Sequence, residues 1–153
     1  MAVAVGESLA DLYLEDETAW LEATAELVRS RDLANLDLEH LGEYLTDMAV
    51  RDRREVKSRL VVLLAHLLKW EFQRASRTRS WQKTMLIQRR KLRDVAGRGV
   101  LRTHADAVLP EAYADAVEQA AVETGLPRAS FPALCPYTVA QLFEMDLVGS
   151  ELS

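Results

Sequence analysis

The chain has 153 residues, 49% of them hydrophobic and 28% charged, with a formal net charge of −5 and a mean hydropathy of −0.10. That length suits one domain, and that composition excludes wholesale disorder and fibrous repeats. The one cysteine, Cys135, excludes an intrachain disulfide and a Cys-rich zinc site, and fits a reducing cytoplasm. The longest uncharged run, Ala129 to Phe143, holds 15 residues and two prolines, short of the roughly 18 apolar residues a membrane helix needs. The start, Met1 to Gly6, lacks the basic and apolar regions of a secretory signal. The expected organisation is therefore a single domain over 1–153, with 1–14 as a loosely packed lead-in.

Leu and Ala number 24 and 21, Ile occurs once at Ile87, and all four prolines lie at or beyond Pro110, a balance that predicts an all-α fold. The first helix is expected from an Asp16 cap to about Arg31, burying Trp20, Ala23, Leu27 and Val28. Asp37 is the next N-cap. Leu38, Leu41, Leu45 and Met48 open a seam that resumes at Val56, Leu60, Leu63, Leu67 and Trp70, interrupted around Arg51 to Glu55. One continuous helix over this stretch measures roughly 54 Å, against about 38 Å for a compact globule of this size. Either the charged segment breaks the helix, or one end projects or is covered by a partner; the long helix is the favoured reading. Thr78 or Ser80 caps a third helix with Trp81, Met85, Gln88, Leu92 and Val95 on one face and Gly97 as its stop. Thr103 caps a short turn, and Pro110 opens a fourth main helix that Gly125 ends. Thr138 to Gln141 is a capping-box pattern for a short final helix. The expected architecture is a bundle of about four main helices, the second of them long, with a short C-terminal helix.

Charge is unevenly spread. Residues 1–50 carry a net −10, residues 51–102 a net +12 and residues 103–153 a net −7. One reading has the acidic ends neutralise the basic middle within the fold. The other makes Arg74, Arg77, Arg79, Lys83, Arg89, Arg90 and Arg93, near Trp70, Phe72 and Trp81, a nucleic-acid footprint of phosphate-pairing charge beside stacking rings. Internal neutralisation is preferred, since an acidic chain repels a polyanion unless its basic face is segregated. The tryptophans, at apolar helical spacing, read as core.

His40, Glu43 and Asp47 share one helical face and could hold a metal ion with help from another helix, although no His pair or Glu-x-x-His motif is present. A solvated polar face is the preferred reading. His66 reads as a hydrogen-bonded core histidine. Cys135 has no neighbouring base, Ser80 lacks a nucleophile elbow, and Gly97 to Gly99 is too short for a phosphate cradle. No catalytic, cofactor-binding or metal-ligating residue is assigned.

Several pieces, in order, are similar to one family: Asp16 to Arg29 (DETAWLEATAELVR), Leu36 to Glu39, Ser58 to Trp70 ending in HLLKW, Arg79-Ser80-Trp81, Gln88-Arg89-Arg90, Ala112-Tyr113, Glu123 to Pro127 (ETGLP) and Cys135-Pro136-Tyr137. Together they resemble the domain of unknown function 29 family across nearly the whole chain. The resemblance implies a small all-helical protein of bacterial source, without assigned chemistry. One departure stands out, since Gln73-Arg74-Ala75 replaces a segment that often carries a proline, which leaves open where the long helix ends. The expected role is a non-enzymatic, cytoplasmic protein-binding or assembly module whose partner is another protein or a second copy. The alternatives are a nucleic-acid-associated module built on the basic residues and a metal-dependent hydrolase built on His40, Glu43 and Asp47 or on His66.

Overall fold

A computed structural model describes residues 8–144, with six α-helices and, among the described residues, no strand. The helices are α1 (Leu9–Glu15), α2 (Glu17–Arg29), α3 (Leu38–Phe72), α4 (Arg79–Ala96), α5 (Gly99–Thr124) and α6 (Val139–Glu144). The all-α expectation holds, with four main helices (α2 to α5), the second of them long, and a short one at the end. Among the described residues no helix is long and apolar enough to cross a membrane. The chain, read from its length as one domain, divides into two compact units, Met1–Val50 and Arg51–Ser153.

The first unit is organised by Trp20. This indole is wholly buried, with Tyr13 edge-on at 4.8 Å and Tyr44 tilted at 5.8 Å. Its Nε1–H donates to Asp37 Oδ2 at 3.3 Å. Within the expected lead-in, Ser8 and Asp11 form a reciprocal capping box that starts α1, a helix without a buried residue. Tyr13 on α1 then packs against Trp20. Residues 1–7 of that lead-in lie outside the described residues. Asp16 caps α2 as expected, accepting from the Ala19 N–H at 3.0 Å. The helix stops at Arg29 rather than Arg31. Arg31 N–H bonds to Val28 O and Asp32 N–H to Leu27 O, the Schellman pattern, which places Arg31 in the left-handed region at φ 58°. Of the expected face, Trp20 is buried and Ala23 and Leu27 half-buried, whereas Val28 is exposed and Thr24 takes a buried place. The reason is that a unit this small has one large ring to cover, and only the turns beside it become buried.

α3 runs unbroken for 35 residues, about 52 Å at ~1.5 Å per residue, and ends at Phe72. The charged stretch Arg51 to Glu55 does not interrupt it, because it contains good helix formers and no Gly or Pro, and Glu55 pairs with Arg59 one turn on at 2.6 Å. Within the first unit α3 packs through His40 and Tyr44, so Leu38 and Leu45, expected in the seam, are exposed.

The second unit is built on the later part of α3. Val56, Leu60, Leu63, Leu64, Ala65, Leu67, Leu68 and Trp70 are all buried, and from Leu63 to Trp70 only His66 is even half-exposed. A helix apolar nearly all round is one enclosed by its neighbours. Met85, Leu92 and Ala96 of α4 belong to the same core, as do Ala105, Val108, Ala112, Tyr113, Ala116 and Ala120 of α5 and Val139, Leu142 and Phe143 of α6. Thr78 rather than Ser80 caps α4, accepting from the Trp81 N–H at 3.2 Å. Gly97 is required at its end, since a Cβ there would lie 2.5 Å from the Arg93 carbonyl oxygen.

Pro110 does not open a helix. It lies inside α5, which begins at Gly99, and Thr103 is a helical residue rather than a cap. Pro110 and Asp106, whose carbonyl the missing N–H would have met, are both exposed, so water can take that bond. Gly125, at φ 74°, supplies the left-handed stop. Thr138 and Gln141 exchange the bonds of the expected capping box, at 2.9 and 3.1 Å, and start α6.

Two stability outcomes follow from this packing. Trp20→Ala removes about 3–5 kcal/mol from the first unit; hydrogen exchange should show α1 and α2 losing protection while α5 retains it. In the second unit Lys69, buried on α3, pairs with Glu123 at 2.7 Å. Glu123→Ala strands that cation and should cost about 1–3 kcal/mol, below the ~3–5 of a wholly enclosed pair because Glu123 is partly exposed, whereas Lys69→Met should be near neutral in urea denaturation.

Candidate functional site

The arrangement that stands out chemically is the outward side of α4. Met85, Leu92 and Ala96 turn one side of this helix into the core. The opposite side is set by residues 79, 83, 86, 90 and 93, whose spacings of four and three keep them in one line. Arg79, Lys83, Arg90 and Arg93 on that line are exposed. They extend over about 21 Å of helix. Among the described residues none of these four joins an ion pair. Leu86, 36% exposed, interrupts the line at its centre.

The other three basic residues singled out in the sequence stand differently. Arg77 folds back on Trp70, its Nε–H donating to the Trp70 carbonyl at 2.8 Å and its guanidinium 4.5 Å from the indole centroid. Arg89 is half-buried, and Arg74 is exposed in the one-turn segment before α4. Of the three rings only Phe72 is exposed, at 42%. Trp70 is buried, Trp81 is half-buried beneath the Lys69 ammonium at 5.0 Å, and Phe72 packs edge-on against Phe131 at 5.3 Å.

Elsewhere in the second unit several basic residues are answered. Lys57 Nζ lies 2.8 Å from Glu111 and 3.2 Å from Asp115 of α5, and these two carboxylates raise its pKa above the usual lysine value. Arg59 bonds Glu55 and donates to Gln88 Oε1 at 3.2 Å. Arg102 meets Asp106 at 2.6 Å. Neutralisation within the fold thus describes the basic residues that α3 turns toward α5, and not the outward line of α4.

The one buried cation among the described residues of this unit, Lys69, meets Glu123 and the ring of Trp81, with His66 on the same helix. Lys69 is 7% exposed. Its hydrogen bond holds the Glu123 carboxyl below its ordinary value, against a smaller upward effect of burial. His66 is half-buried and its Nδ1–H donates to Val62 O at 2.8 Å, the core histidine expected from the sequence. Burial, with the nearby Lys69 charge, lowers its pKa, partly offset by the Val62 bond. Cys135 is half-buried and its Sγ–H donates to Tyr137 O at 3.3 Å; burial pushes the thiol up, so it is a poor nucleophile. An open groove of about 810 Å³ beside it, lined by Leu109, Tyr113, Val117, Pro132 and Leu134 among others, is mostly apolar. Tyr113 OH is committed to Pro132 O at 2.5 Å.

In the first unit the residues suggested as metal ligands do not converge. His40 Nδ1 lies 2.6 Å from Asp37 Oδ2 and its ring stacks on Tyr13 at 4.4 Å, while Glu43 and Asp47 are exposed. Among the described residues no group of three or more His, Cys, Asp or Glu side chains is placed to hold a metal ion. Asp37 is the focus here. Burial pulls its pKa upward, but hydrogen bonds from His40 and Trp20 outweigh that and hold it below 3.8.

Comparison with known families gives one match, over residues 12–148, to the family described as Domain of unknown function DUF29. The chain belongs to this family. No curated protein and no solved structure matches it.

The pieces that carried the DUF29 resemblance now have physical roles. Lys69 of HLLKW, Trp81 of the Arg79-Ser80-Trp81 piece and Glu123 of ETGLP come from three separated stretches and meet at one buried cation. Thr124 and Gly125 of ETGLP end α5, the Thr124 hydroxyl accepting from Leu126 N–H at 3.1 Å. Trp20 of the first piece centres the other unit. These DUF29 residues build the fold, and this convergence was missed in the sequence because no spacing links residues 69, 81 and 123. Leu86 was missed too, though its position midway between Lys83 and Arg90 could have shown it on the outward line.

The lowered His66 pKa has a pH consequence. The folded chain keeps this ring neutral while the unfolded chain protonates it below about 6.5, so stability is full above that value and falls as pH drops from 6.5 through the folded pKa. His66→Gln should flatten this part of a urea-midpoint profile. Glu123 and Asp37, lowered from 4.5 and 3.8, should leave a second decline at more acidic pH in that variant.

Proposed function

We propose that this DUF29 protein is a cytoplasmic, non-enzymatic binding module that docks an acidic protein surface along the outward side of α4. The observation that carries this reading is a line of four exposed, unanswered cations with a leucine at its centre. Charge alone would suit any polyanion, but an apolar side chain midway along the line adds a contact that a phosphate backbone does not use and a protein surface does. The two tryptophans that a single-stranded nucleic acid would stack on are instead covered by Lys69 and Arg77, which leaves Phe72 as the one exposed ring of the three. These features favour a protein partner over the nucleic-acid alternative.

Fluorescence anisotropy tests the choice, using a labelled helical peptide with Glu and Leu on one face, and single-stranded and duplex DNA of similar charge. At about 0.15 M salt the peptide should bind more tightly than either DNA. Leu86→Ala should weaken the peptide about 5- to 10-fold, the effect of losing one partly buried leucine contact, and leave DNA binding unchanged. The variant R79E/K83E/R90E/R93E should abolish peptide binding. Tighter binding of either DNA, falling steeply with salt and indifferent to Leu86, would transfer the face to nucleic acid.

A further inference from the structure

The second unit has another surface, which shares no residue with the outward line of α4. The groove beside Cys135, about 810 Å³, lies between α5, which supplies Leu109, Tyr113 and Val117 at spacings of four, and the segment that follows Phe131. Leu134, which also lines it, is 83% exposed, more than any other large apolar side chain among the described residues. Hollow and knob therefore belong to one apolar patch, and such a patch marks a contact surface.

The polar groups of the groove are committed within the chain. Tyr113 OH donates to Pro132 O, and Cys135 Sγ–H donates to Tyr137 O. Arg128 is the only charged side chain in the lining. Glu118, one turn along α5 from the lining Ala114, meets it at 3.2 Å, and both members of this pair are exposed. The patch thus carries one cation and one anion at its rim. It is neutral in a chain where residues 51–102 carry a net +12 and residues 103–153 a net −7.

We infer that this groove is covered by a second copy of the chain across a two-fold axis, each Leu134 filling the other copy's hollow and each Arg128 facing the other copy's Glu118. An isologous interface needs one patch that is both knob and hollow, and Leu134 beside Tyr113 and Val117 supplies both. It must also set unlike charges together. A rim of one sign would repel its own copy, whereas a rim with one charge of each sign is complementary to itself. A strongly acidic or basic partner finds no matching net charge on this patch. The inference does not rest on the α4 reading; the dimer leaves both α4 lines open and so presents two of them to a partner.

Sedimentation velocity on the full chain tests this, with substitutions at exposed positions only. At about 0.15 M salt the wild-type sedimentation coefficient should rise with concentration to that of a dimer and no further, because a two-fold contact closes. Leu134→Asp should weaken association about tenfold or more and leave the acidic peptide binding to α4 unchanged. Leu86→Ala should weaken the peptide and leave the dimer unchanged. E118R and R128E should each associate about tenfold more weakly alone, since each sets like charges across the axis. Their equimolar mixture should regain wild-type association, because the two reversed charges then face each other, as do the two unreversed ones. Neither chain recovers its own ion pair in that mixture, so the recovery reports the contact between copies. A wild-type chain that stays monomeric, L134D that dimerises like wild type, L86A that loses the dimer, or a mixture no tighter than its components overturns the inference. If a monomeric wild-type chain still binds the peptide, the second-copy inference fails alone and the binding reading stands.

Discussion

The second unit depends on the enclosure of one lysine. From Leu63 to Trp70, α3 is surrounded by apolar neighbours, and an ammonium there loses most of its hydration. It is held by a carboxylate from the end of α5 and by the face of an indole from the first turn of α4. Buried pairs return little net stability relative to apolar replacements, so the importance of this one lies in alignment. Sliding or rotating α4 or α5 against α3 would separate Trp81 or Glu123 from Lys69 and leave charge in the core. Three of the pieces of sequence that carry the family resemblance meet there.

The same reasoning sorts the basic residues of the middle third. Where α3 turns cations toward α5, as at Lys57 and Lys69, acids of the last third answer them. On the outward side of α4 the only acid of the helix is the exposed Asp94, one turn after Arg90, and among the described residues Arg79, Lys83, Arg90 and Arg93 join no ion pair. An alternating charge pattern along a chain is therefore only partly satisfied by folding.

Much of the architecture was legible in the sequence, because it follows from local rules. Asp16, Thr78, Gly125 and the Thr138 to Gln141 box act as the stop and start signals they spell out, and Val56 to Trp70 follows one apolar seam. Misreadings arose where a local rule met a tertiary one. Pro110 normally opens a helix, but on an exposed turn its lost donor is tolerated and α5 passes through it. Leu38 and Leu45 fit the periodicity of a buried seam, yet the first unit draws in His40 and Tyr44 because Trp20 needs ring neighbours. Of the seven basic residues, spacing could group Arg79, Lys83, Arg90 and Arg93, whereas the capture of Arg77 by Trp70 depends on how the chain turns between α3 and α4.

The inner side of α5 is lined chiefly by small groups, with Ala105, Val108, Ala112, Ala116 and Ala120 all buried. Methyl-sized side chains let helix backbones approach closely, and interiors at such density have little room to redistribute volume. Bulk added on this side would displace the whole rod instead of a single rotamer, carrying Glu123 away from its lysine. Variation in size should therefore be confined to the solvent side of α5, where Val122 is already 80% exposed.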